Sequence, residues 1–95
     1  MTNVMLVDDE MLLVESLEII LTYSGKFNIV GKASNGNEAL DILSREQVDV
    51  MLVDLNMPQM GGIELISRVK ENYPSIKMIV LTTFYDEKNI TEALA

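Results

Sequence analysis

The stretch Val4-Met5-Leu6-Val7-Asp8 recurs unchanged as Val50-Met51-Leu52-Val53-Asp54. Each copy of VMLVD is four apolar residues closed by a carboxylate, and the first is followed at once by another acid, Asp9. An apolar run without polar alternation belongs to a strand covered on both faces, as in parallel sheets. Phe27–Val30 and Met78–Leu81 are further runs of strand length. The amide inside Phe27-Asn28-Ile29-Val30 predicts an edge position for that second strand.

The segments between these runs carry helical periodicity. A first helix is expected from about Glu10 to Tyr23, with Leu13, Leu17, Ile20 and Leu21 on its apolar face. A second runs from about Gly36 to Arg45 on Ala39, Leu40 and Leu43. Its start reads as a capping box, with Asn35 as cap and Glu38 three residues on. A third, from about Gly62 to Asn72, uses Ile63, Ile66 and Val69 and is stopped by Tyr73-Pro74. A fourth starts near Asp86 and runs to Ala95. Strand and helix thus alternate four times, the signature of an α/β domain with a parallel sheet and helices on both faces. No linker or low-complexity stretch divides residues 1–95, which read as one domain.

Composition removes much of the usual chemistry. The chain has neither cysteine nor histidine, hence no disulfide, no ordinary zinc site and no thiolate or imidazole catalysis. Absence of cysteine suits a reducing cytoplasm. Fifteen acids against seven bases leave a formal charge of −8, which repels phosphate backbones and argues against nucleic-acid binding by this chain. The apolar runs are too short to span a bilayer, and no signal peptide is read at the N-terminus. The seven methionines read as core filler.

What remains is carboxylate chemistry. In a doubly wound sheet the parallel strands finish at one end, and ligands bind in the crevice there. If the VMLVD strands are neighbours, Asp8, Asp9 and Asp54 meet at that crevice. Converging carboxylates need a proton or a cation between them, and Mg²⁺ favours oxygen donors in octahedral array. The plainer alternative is that Asp9 caps the first helix and Asp54 begins a loop. A mononucleotide site is disfavoured, because Val7-Asp8-Asp9-Glu10 stands where a glycine-rich turn is needed.

"LVDDE", "LVDLNMPQMGG", "IVLTT" and "ASNGNEALDIL" together resemble, in register along the whole chain, the response-regulator receiver domain of two-component signalling. The resemblance implies a flavodoxin-like fold with strand order 2-1-3-4. It implies that Asp54 is the phosphoacceptor, taking a phosphoryl group from a sensor histidine kinase. Asp8 and Asp9 then hold Mg²⁺ beside Asp54, with the backbone carbonyl of Asn56 as a further ligand. Thr82 is the hydroxyl that meets the phosphoryl oxygen and switches, and Pro58, Gly61 and Gly62 shape the loop after Asp54. Simpler roles stay open: Thr82 as a β-branched strand residue, the proline and glycines as turn formers, and Glu10 as a first-turn acid. A signalling module, not an enzyme, is expected.

Receivers have a fifth strand ending in a lysine, and a fifth helix. None of Lys26, Lys32, Lys70, Lys77 and Lys88 ends an expected strand, so no catalytic lysine is assigned and the chain reads as incomplete at its C-terminus. "VLTTFYDE" is similar to receivers that precede a helix-turn-helix domain, so DNA enters only through an output domain not present here. The open edge left at Met78–Leu81 predicts self-association. Two rivals are a phosphorylation-independent interaction module and a Mg²⁺-dependent phosphatase; the second lacks its acid, since Asn56 stands two residues past Asp54.

Overall fold

The two VMLVD copies lie side by side. In the computed structural model, which describes residues 1–55, 57 and 60–81, β1 (Thr2–Val7) and β3 (Val50–Asp54) pair in parallel. Val4, Met5, Leu6 and Val7 stand opposite Val50, Met51, Leu52 and Val53. β2 (Phe27–Ala33) flanks β1 and β4 (Lys77–Leu81) flanks β3, giving the order β2-β1-β3-β4, all parallel. The connections are α1 (Met11–Tyr23), α2 (Gly36–Leu43) and α3 (Gly62–Asn72). The expected doubly wound parallel α/β fold is what forms. Asn56, Pro58, Thr82, Lys88 and the fourth helix lie outside the described residues.

Alternation along the paired strands divides the core in two. Met5, Val7, Met51 and Val53 pack with Ala39, Ile42 and Leu43 of α2 and with Leu65 and Val69 of α3. Val4 and Leu6 point the other way, onto Val14 of α1, with Leu17, Leu21, Val50 and Leu52 around them. Helices on both faces explain why β1 and β3 need apolar residues at every position. β4 does not share that environment: Ile79 and Val80 are about half exposed, so its apolar run is not buried on both faces.

β2 extends to Ala33, three residues past the expected end. A bulge allows this, because Val4 faces Ile29 while Met5 faces Gly31, leaving Val30 unpaired. Phe27 and Ile29 belong to the α1 side, whereas Val30 and Ala33 join the α2–α3 side. The helix faces also need correction. On α1 the buried residue is Val14, with Leu13, Leu17 and Leu21 half-buried and Ile20 exposed. On α3, Leu65 and Val69 are buried with Ile66 beside them, and Ile63 is exposed. No helix among the described residues is long and apolar enough to cross a membrane.

Candidate functional site

The matched register of β1 and β3 sets Asp8 and Asp54 as the next residues after the last pair, Val7 and Val53. Both are about 1% exposed, at the carboxyl ends of the two central strands. Asp9, exposed, adds a third carboxylate, and one oxygen from each of Asp8, Asp9 and Asp54 lies within 4.8 Å of the others.

Backbone bonds fix Asp8 in place. Its N–H donates to the Ala33 carbonyl at 3.0 Å, tying the end of β1 to the end of β2. Its Oδ1 accepts from the Glu10 N–H at 2.9 Å, which turns the chain sharply into α1. Asp8 Oδ2 is buried and has no hydrogen-bond partner among the described residues. Burial pushes the Asp8 carboxyl up to about 6; the Glu10 N–H opposes this, and the charges of Asp54, Asp9 and Glu10 add to it. A buried carboxylate oxygen left unbonded is costly unless a proton or cation reaches it. The residue that caps α1 is Glu10, without a side-chain cap bond, so Asp9 does not serve as its cap.

On the flank of Asp8 is a cavity of about 340 Å³, lined in part by Met11, Glu15, Lys32, Ser34 and Glu38. Lys32 is the penultimate residue of β2, and its Nζ pairs with Glu18 Oε1 at 3.0 Å. Asn35 caps α2 as expected, its Oδ1 accepting from the Glu38 N–H at 2.9 Å. The return bond of the capping box goes one residue further back: Glu38 Oε1 accepts from the Ser34 N–H and hydroxyl, both at 2.7 Å. Those two donors hold the Glu38 carboxyl below its ordinary pKa, the backbone bond more strongly.

Behind Asp54 the chain leaves β3 through Leu55 and enters α3 at Gly62, whose N–H donates to the Leu55 carbonyl at 3.2 Å. A Cβ at Gly62 would overlap the Asp54 carbonyl oxygen and come within 2.7 Å of Leu55 Cα, so glycine is required by close approach. Gly61, at φ −76°, leaves ordinary room for a side chain. Two contributors escaped the sequence reading. Ala33 gave no signal, because its backbone acts. Met60 passed as core filler, although its carbonyl accepts from the Gly36 N–H at 3.0 Å.

The model of the response regulator receiver domain matches residues 4–95. The chain is 32% identical over 94 residues to the transcriptional regulatory protein YdfI of Bacillus subtilis, covering 99% of this chain and 44% of that protein. It is 29% identical over 92 residues to the nitrate/nitrite response regulator protein NarL of Escherichia coli, at 97% and 43% coverage. It therefore spans less than half the length of these relatives. The non-phosphorylated receiver domain of the stress response regulator RcsB from Escherichia coli is similar at TM-score 0.83 and 27% identity, over 98% of this chain and 73% of that one. A chain of the CheX-CheY-BeF3-Mg complex from Borrelia burgdorferi gives 0.82 and 30%, over 98% and 70%. A match across nearly every residue agrees with the sheet order and the strand-end acids already described: this chain belongs to the response regulator receiver domain family of two-component signalling.

Proposed function

We infer that the chain is the phosphoacceptor module of a two-component response regulator, with Asp54 receiving the phosphoryl group from a phosphohistidine on a sensor histidine kinase. The observation that carries this is the meeting of Asp8, Asp9 and Asp54 within 4.8 Å, with Asp8 Oδ2 buried and unbonded. That donor set, all hard oxygen, fits Mg²⁺. Asp8, Asp9 and Asp54 would hold the ion, with the Asn56 carbonyl as a further ligand. Bound there, Mg²⁺ supplies the positive charge that lets an anionic phosphoryl group approach a carboxylate.

The chain's own part is positioning. Asp54 sits at a strand end with its carboxylate in the crevice, and one of its oxygens attacks phosphorus in line. The phosphorus–nitrogen bond breaks, its electron pair stays on the histidine, and an acyl phosphate remains on Asp54. A near-dianionic group then replaces a single charge, enough to draw in a hydroxyl donor, the role proposed for Thr82. Gly62 keeps the turn behind Asp54 tight, and a loop-shaping role is proposed for Pro58 and Gly61. The state formed passes to an output domain; YdfI and NarL, by name a transcriptional regulatory protein and a response regulator, make transcription the proposed output. The cytoplasm is the proposed compartment.

Acetyl phosphate with Mg²⁺, followed by borohydride trapping and peptide mass spectrometry, tests this. Modification is expected on Asp54 alone and is lost in Asp54→Ala. Label on another aspartate, or undiminished label in that variant, would contradict the assignment.

A further inference from the structure

The segment after Asp54 is held at two points by glycine backbones. At one, the Gly62 N–H reaches Leu55. At the other, Gly36 opens α2, and its N–H is one of the first-turn donors a helix cannot satisfy internally. That donor goes across to the Met60 carbonyl at 3.0 Å. The approach is close: a Cβ on Gly36 would lie 2.6 Å from Met60 Cγ and 2.7 Å from both Cβ and Sδ. Met60 is 9% exposed and belongs to the α2–α3 core, so its side chain has little room to withdraw. Met60 Cβ moves only with its backbone. A methyl group at position 36 therefore shifts the carbonyl that Gly36 holds, and with it Gly61 and Gly62, the second of which lies against the Asp54 carbonyl.

We propose that Gly36 is a positioning residue for the Asp54 site, and that its contact with Met60 sets the metal affinity of the Asp8–Asp9–Asp54 cluster from the N-terminus of α2. This rests on the metal reading above, and the route to the cluster is Gly62, two residues after Met60, which lies against the Asp54 carbonyl. Gly36 acts through Met60, much as outer-shell partners orient ligands that they do not replace.

Gly31 provides a control. Gly31 lies on β2, and a Cβ there would meet Ile42 Cγ2 of α2 at 2.7 Å and Cδ1 at 3.1 Å, a milder crowding that also presses on α2 but not on Met60. Binding of Mn²⁺, a paramagnetic stand-in for Mg²⁺, is measured by electron paramagnetic resonance on the parent, Gly36→Ala, Met60→Gly, the double variant and Gly31→Ala. Urea unfolding of each without metal runs in parallel. Gly36→Ala is expected to weaken Mn²⁺ about tenfold, within the range known for outer-shell changes. The double variant, which removes the opposing side chain including its Cβ, should return to within about threefold of Met60→Gly, as coupled neighbours do. Gly31→Ala should lose stability but keep its Mn²⁺ affinity. If Gly36→Ala binds like the parent, or the double variant is no better than Gly36→Ala, the proposal fails while the metal site stands. A Gly36→Ala protein that does not fold leaves the double variant to decide, because failure to recover binding there overturns the coupling. No binding by the parent would overturn the metal reading itself, and this proposal with it.

Discussion

Burial sets the charge state of Asp8. Its carboxyl titrates at about 6 in the fold, against 3.8 as an ordinary aspartate, because burial disfavours the charged form. A raised folded value means that the group's stabilising contribution is complete below about 3.8 and is lost as pH rises through about 6. Metal-free protein should therefore become more stable as pH falls from neutrality towards 5, by about 1 kcal/mol from this group, out of roughly 3 kcal/mol reached below about pH 3.8. Asp8→Asn keeps an oxygen for the Glu10 N–H and removes the charge. It should flatten that slope and raise metal-free stability near pH 7.5, as urea unfolding across pH would show. An unchanged slope in Asp8→Asn would place the titration elsewhere. The acids themselves were legible in the sequence, because they follow apolar runs of strand length; that they meet depended on β1 and β3 being neighbours, which the VMLVD spacing alone left open. The Ala33 carbonyl and the Glu10 N–H that hold Asp8 were not, since any residue supplies them.

At the scale of elements, the pattern located helices better than it oriented them. α1 carries Met11, Leu12, Leu13, Val14, Leu17, Ile19, Ile20, Leu21 and Tyr23, apolar almost all round, so spacing alone chose Ile20 and passed over Val14. In α3 the stripe from Gly62 through Leu65, Ile66 and Val69 to Tyr73 keeps 3- and 4-residue steps. Ile63 also stands three residues before Ile66, so that step alone did not exclude it; Leu65, four before Val69, extends the stripe on to Tyr73. Leu65→Ala should thus lose roughly 2–5 kcal/mol, as a fully buried leucine does, while Ile63→Ala should stay within about 0.5 kcal/mol. Equal losses for the two would refute the observed helix face. The β2 bulge was not legible, because one extra residue leaves no mark on composition. Asn35 was, because a cap followed by Glu38 has a distinct spacing. Asn35→Ala should lower stability by about 1 kcal/mol in the same unfolding assay.

Across the whole molecule, two apolar surfaces stand exposed among the described residues. One is β4, where Ile79 is 53% and Val80 45% exposed, paired on one side with β3. The other is the outer side of α1, with Leu12, Ile19, Ile20 and Tyr23. A flat apolar edge strand invites pairing with another chain, and exposed patches of this kind favour association. The chain alone should therefore sediment as concentration-dependent oligomers in the micromolar range, and Ile79→Lys should shift it towards monomer. A monomer at every concentration, melting cooperatively above about 50 °C, would show that these surfaces do not drive association. The strand order that leaves β4 outermost was readable only through the receiver resemblance, which implied 2-1-3-4; the repeated pentapeptide left the adjacency of β1 and β3 conditional. How far each apolar residue of β4 is covered was not, since exposure depends on neighbours and not on composition.

Titration with Mg²⁺, followed by ¹H–¹⁵N spectra near pH 7.5, tests the carboxylate cluster most directly. The amides of Asp8, Asp9, Glu10 and Leu55 should shift together along one saturating curve, and Asp9→Asn should remove the response while leaving the rest of the spectrum in place. A parent protein whose signals stay still, or an Asp9→Asn variant that titrates as the parent does, would contradict a metal site built from Asp8, Asp9 and Asp54.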